Sequence, residues 1–166
     1  MKLYHGSNRR ITEVDLSFSR HYKDFGAGFY LTPDYARAVR MATRCAELEQ
    51  IGLPEVNSFF FNRKQCVAHL KIKEFRHNDW EWAKFVMMCR DKSCAPPFAH
   101  DYDVVIGPVA DSSVDPVIEE YRDEYGQDYL APENLHILAA RLRYSGAPYI
   151  QYCFCTKHSL NFLFPD

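Results

Sequence analysis

The stretch best suited to chemistry holds two glycines separated by one residue and runs straight into an aromatic pair. It reads Asp24-Phe25-Gly26-Ala27-Gly28-Phe29-Tyr30-Leu31-Thr32-Pro33. Glycine reaches backbone conformations closed to other residues and lets a ligand approach the main chain. A tyrosine delivered just after such a loop can stand at a pocket wall and stack on a flat ring. Taken alone, the same residues also read as a glycine-rich turn before a buried strand, with Tyr30 in the core. A second candidate lies at Lys2-Leu3-Tyr4-His5-Gly6-Ser7, an alternating strand that ends in histidine, glycine and serine. A lone histidine at a strand end is more often structural. Followed by Gly-Ser and paired with the Tyr30 loop, it reads as a binding residue.

Charge is unevenly placed around these motifs. Lys2, Arg9, Arg10, Arg20 and Lys23 lie beside the glycine loop and suit a pyrophosphate. Arg20 lies between the two motifs, four residues before Asp24, and a planar guanidinium grips phosphate oxygens in pairs. The alternative for Arg20 is a plain surface side chain. From Asp101 to Glu133 the chain is acidic, with Arg122 its only basic residue. That flank fits either a cationic partner or a solvated surface. The six cysteines are scattered, and Cys89 and Cys94 have no second Cys/His pair nearby, so no metal site is expected. Cys153 and Cys155 fall on one face of a strand, a poor geometry for bonding to each other. They read as reduced, mostly buried thiols of a cytoplasmic protein.

The order and spacing of the motifs resemble the NAD-binding half of the ADP-ribosyltransferase superfamily. The pattern runs Leu3-Tyr4-His5-Gly6-Ser7, Ser19-Arg20, Asp24 to Thr32, Tyr102-Asp103-Val104-Val105-Ile106-Gly107-Pro108-Val109-Ala110, then Gln151 with Thr156, and spans nearly the whole chain. The closer likeness is to the diphtheria-toxin and poly(ADP-ribose)-polymerase branch, which uses a His-Tyr-Glu triad. Within that branch the chain is similar to small bacterial families of unknown function.

The resemblance implies an α+β fold, an ADP-ribosyltransferase-like split antiparallel β-sandwich with flanking helices, in one domain over residues 1–166. It implies NAD as co-substrate, cleavage of the nicotinamide–ribose bond, and transfer of one ADP-ribose to a macromolecular acceptor. Such an enzyme would act in the manner of a bacterial toxin or effector, restrained by an antitoxin or immunity partner. By the same resemblance His5, Tyr30 and Gln151 are the catalytic set. His5 would bond a ribose hydroxyl of the adenosine half, Gly6 the nicotinamide amide through its main chain, and Tyr30 would stack on the nicotinamide ring. Ser7, Arg20, Gly28, Phe29 and Tyr35 would complete the NAD-binding residues.

Three positions depart from the branch. Gln151 stands in place of its glutamate, keeping a carbonyl acceptor but losing the base and the negative charge. Met41 stands where a second stacking tyrosine falls, and Ala38 where a serine holds the nicotinamide amide. These changes favour single transfer over chain elongation. They also keep open an NAD- or ADP-ribose-binding module of weak or no turnover, and an NAD glycohydrolase.

The elements that must position these residues follow from periodicity. With 166 residues, 47% apolar and 25% charged, the chain suits one globular domain with a sizeable core. A net charge of −2 with pI ≈ 6.4 argues against broad attraction to nucleic acid and makes protein the favoured acceptor. Met1 to His5 lacks the apolar run of a secretory leader, and no stretch approaches the ~20 apolar residues that span a bilayer. Strands are expected over 2–6, 67–72, 102–107 and 149–155, the third of them central. Helices are expected from Pro33-Asp34 to about Gln50, over 80–92, 113–125 and 132–144, and from Thr156 through Phe164. The run Ser58-Phe59-Phe60-Phe61 fits a buried edge or a loop clamped into the core.

Overall fold

Period-two alternation makes the strands and side-chain caps start the helices. The structure, a computed structural model, describes residues 1–111, 113–146 and 148–166. In chain order they form β1 (Lys2–Ser7), β2 (Phe29–Leu31), α1 (Tyr35–Glu49), β3 (Glu55–Phe61), α2 (Arg63–Cys66), β4 (Ile72–Glu74), α3 (Trp80–Arg90), β5 (Val104–Pro108), α4 (Val114–Tyr125), α5 (Pro132–Leu142), β6 (Ile150–Phe154), α6 (Lys157–Leu160) and β7 (Leu163–Pro165). Three caps expected from sequence are in place. Asp34 accepts from Arg37 N at 3.0 Å, Asp79 from Trp82 N at 2.9 Å, and Thr156 from Ser159 N at 3.1 Å.

The fold is α+β, with two sheets. One has the order β1-β3-β7, the other β2-β6-β5-β4. They meet at Tyr4 and Thr32, whose backbones exchange N–H···O bonds of 2.8 and 2.9 Å. Alternation along β5 and β6 then builds two apolar layers. Val104, Ile106, Tyr152 and Phe154 join Leu3, Phe59 and Phe61 of the first sheet. Val105 and Cys153 face the other way and join Trp82, Met87, Tyr121 and Leu138 from the helices. Trp82, fully buried, also donates its indole N–H to Pro108 O at 3.0 Å and ties α3 to β5. Among the described residues no helix is long and apolar enough to cross a membrane.

Four expectations are corrected. The two sheets are not wholly antiparallel: β4 runs parallel to β5, because α3 carries the chain back between them. Of the strand expected over 67–72, only Ile72 is extended, as the first residue of β4. Asn62 starts a helical turn there, and Leu70 N bonds Cys66 O at 2.9 Å, so Cys66 and Leu70 are buried four apart while Val67 stays exposed. The strand comes later, as β4. The three phenylalanines at 59–61 belong to β3, the middle strand of its sheet; Phe59 and Phe61 face the core and Phe60 lies outside. The closing helix stops at Leu160, and the chain turns into β7 alongside β3.

α1 lies against β1 only because position 6 has no side chain. A Cβ on Gly6 would run into the Ala38 carbonyl oxygen and sit 2.5 Å from Ala42 N. Both are helix backbone, which cannot swing aside. Gly6→Ala is therefore expected to lower the stability of the fold by about 1–3 kcal/mol, read as a reduced urea midpoint at unchanged slope. A variant as stable as the parent would mean that α1 does not pack this closely.

Candidate functional site

β1 and β2 touch through the Tyr4–Thr32 bridge, which sets His5 beside the backbone of Tyr30. The His5 Nδ1 lies 2.7 Å from Tyr30 O. A carbonyl only accepts, so Nδ1 carries the proton and Nε2 keeps its lone pair. The ring lies against that of Phe29, with centroids 4.5 Å apart. Burial pushes the His5 pKa down, opposed by the bond to the Tyr30 carbonyl. The result is an oriented, neutral imidazole that offers an acceptor.

Tyr30 points to the opposite face of β2, toward the helical layer. Its hydroxyl donates to Gly26 O at 2.7 Å and accepts from Phe25 N at 3.1 Å. The phenol thus latches the glycine loop that precedes it, and burial pushes its pKa well above the usual value. Gly26 turns with φ 77°. Gly28 lies flat on β6, where a Cβ would meet Cys153 Sγ and come within 2.8 Å of Phe154 O. Both glycines are needed to fold the loop down, and the ring of Tyr30 remains half-buried.

β2 pairs with β6, Tyr30 opposite Cys153, so Gln151 shares a face with Tyr30 diagonally across the pair. The Gln151 Nε2 donates to Asp24 Oδ2 at 2.8 Å. Asp24 is 5% exposed and also accepts from Arg90 Nε and Nη2, at 2.9 and 2.6 Å, and from Ala110 N at 3.1 Å. Arg90 continues to Asp115 at 3.1 Å, and Lys92 reaches the same carboxylate. Nothing local in the sequence joins Asp24 to Gln151. Its one signal is an acidic residue opening the Phe-Gly-x-Gly run.

A cluster of thiols sits behind Tyr30. Cys153 and Cys155 approach at 3.4 Å between sulfurs, unbonded, and all six cysteines are free. The Cys155 pKa falls to about 6, first through its hydrogen bond with Cys153 and then through His100.

The structure therefore brings His5, Tyr30 and Gln151 onto three laterally adjacent strands, with Gly28 and Phe29 among them. His5 packs on the inter-sheet side with Phe29, whereas Tyr30 and Gln151 face the helices. Phe29 is 9% exposed and belongs to the core between the sheets. Gly6 lies beneath α1. Ser7 is buried and its hydroxyl donates to Asn8 Oδ1 at 3.5 Å. Arg20 is exposed and reaches Glu49 at the end of α1, 3.8 Å away. Tyr35 is 57% exposed, its ring edge-on to Tyr4 at 5.2 Å. Ala38 is buried against Gly6, and Met41 is exposed on α1.

A family model described as a protein of unknown function (DUF3990) matches residues 1–164. No curated protein and no solved structure matches the chain.

The neutral imidazole has a consequence for stability. A free histidine titrates near 6.5, and the folded value lies below it. As pH falls past 6.5 the unfolded chain binds protons first, so stability present above that pH is lost as pH falls through the folded value. Between pH 7.5 and pH 5 the native protein should lose more stability than His5→Asn does. Urea denaturation at both pH values measures this, and equal losses would contradict a neutral His5.

Proposed function

The chain belongs to the DUF3990 family of proteins of unknown function, and we propose that it is an NAD-dependent mono-ADP-ribosyltransferase built on an ADP-ribosyltransferase-like split β-sandwich. The observation that supports this reading is that His5, Tyr30 and Gln151, from distant parts of the chain, lie on the neighbouring strands β1, β2 and β6, with His5 bonded to the Tyr30 carbonyl and Gln151 on the same face as Tyr30.

Cleaving the nicotinamide–ribose bond passes through an oxocarbenium-like state, as in glycoside hydrolysis. The leaving nicotinamide starts cationic and needs no acid. What the site must do is hold the dinucleotide and accept hydrogen bonds from its ribose hydroxyls. His5 offers Nε2 as an acceptor, since Nδ1 is spent on Tyr30 O. Gln151 offers Oε1, since Nε2 is spent on Asp24. Tyr30, with its hydroxyl engaged by the loop, offers the face of its ring for stacking on nicotinamide. Gln151 cannot take a proton from the incoming nucleophile at neutral pH. The acceptor is then a group that attacks without help from this residue, with a protein side chain favoured by the net charge of −2.

The same glutamine favours a second reading, a module that binds NAD or ADP-ribose with little turnover. The two are separated by incubating the protein with adenine-labelled NAD and a cell extract, following nicotinamide release and label on macromolecules. The transferase reading expects both, with His5→Asn and Tyr30→Ala reducing release about tenfold or more. Calorimetric binding of NAD without release selects the module. Neither binding nor release ends both readings.

A further inference from the structure

A fully satisfied buried carboxylate decides which way a neighbouring carboxamide must face. Asp24 has four hydrogen-bond donors around it. Arg90 Nε and Nη2 converge on Oδ1, while Ala110 N and Gln151 Nε2 converge on Oδ2. An ionised carboxylate only accepts, so the atom of Gln151 turned toward it is nitrogen. The carbonyl oxygen of Gln151 is thereby left for the other side.

We propose that Asp24 is the positioning residue for Gln151, fixing its carboxamide so that Oε1 is presented to the hydroxyl of a bound ribosyl group. The identity of that group rests on the function proposed above; the orientation of the amide does not. Arg90 holds the carboxylate from α3 and is itself braced by Asp115 of α4. The backbone of Ala110, just past β5, holds its other oxygen. Asp24 immediately precedes the loop latched by Tyr30, so one network fixes both the loop and the acceptor on β6.

The network also explains why position 151 carries an amide. A glutamate there would set a second carboxylate against Asp24 Oδ2 with no donor between them. Like charges in contact cannot both ionise readily. Arg90 already serves Asp24 and Asp115, and Lys23, Tyr30 and Cys89 are further titratable groups that feel the Asp24 charge.

Two measurements test this. Side-chain amide NMR of the native protein should show Gln151 Nε–H exchanging at least tenfold more slowly than those of the exposed Gln50, Gln65 and Gln127. Exchange as fast as theirs overturns the proposal, whether or not NAD is turned over. A protected amide in a protein that neither binds nor cleaves NAD leaves the positioning intact and ends the functional reading instead.

The second measurement is nicotinamide release. Asp24→Asn and Gln151→Ala should lower kcat by similar factors, and the double variant should be no worse than either single one. Multiplied losses would assign Asp24 a purely structural role. Should Asp24→Asn fail to fold, Gln151→Glu supplies the same test: release falls at pH 7.5 and recovers in part at pH 5.5, where one carboxyl regains a proton to donate. Gln151→Glu as active as the native protein at pH 7.5 overturns the proposal.

Discussion

A carboxylate taken out of water has to be surrounded by donors, and in this protein that requirement falls on Asp24. Left unpaired, such a charge would cost several kcal/mol. Its partners come from α3, from the backbone beyond β5 and from β6, across sequence separations of 66, 86 and 127 residues. The glycine loop cannot close unless all three elements have arrived. Losing any one donor would leave the buried carboxylate short of a partner, and losing the carboxylate would leave Ala110 N and Gln151 Nε2 pointing at nothing. Asp24 is therefore a test of correct assembly as well as a local anchor.

The loop that follows is held by a different kind of contact. Tyr30 bonds Gly26 and Phe25 with its hydroxyl, while Gly28 lets the chain lie directly on β6. This explains why a glycine-rich run ends in a tyrosine. The ring that reads from sequence as a ligand platform is also the clasp of its own loop. His5 obeys a similar logic: its bond to Tyr30 O spends one ring nitrogen on structure and directs the other. In each case the fold consumes half of a bifunctional side chain and leaves the other half available.

What could be read from sequence was local. The caps Asp34, Asp79 and Thr156 act over three residues; alternation in β1 and β6 and the short apolar run of β5 are clear enough to place those strands within a residue or two. Where a signal was short or ambiguous it misled. The apolar residues around Val67 fit alternation as well as a helical turn, and only Asn62 at its start chose the turn. β7 is three residues long and hides behind the Thr156 cap. The strands of His5, Tyr30 and Gln151 were legible because each carries its own motif. The Asp24 network was not, because hydrogen bonding between residues more than sixty apart leaves no trace in spacing. Gly6 was legible as a glycine but for a different reason: helix packing demands it.

The arrangement of β6 and β7 bears on how the protein comes to be made. β6 lies between β2 and β5, and β7 completes the sheet built on β3. Both are drawn from residues 150–165. A chain emerging from the ribosome can form α1, α3 and the β1–β3 pair, but neither sheet closes before that segment appears. Contacts of such long range slow folding and keep apolar strands exposed in the meantime. Any activity resident on β1, β2 and β6 therefore stays silent until translation has passed β6.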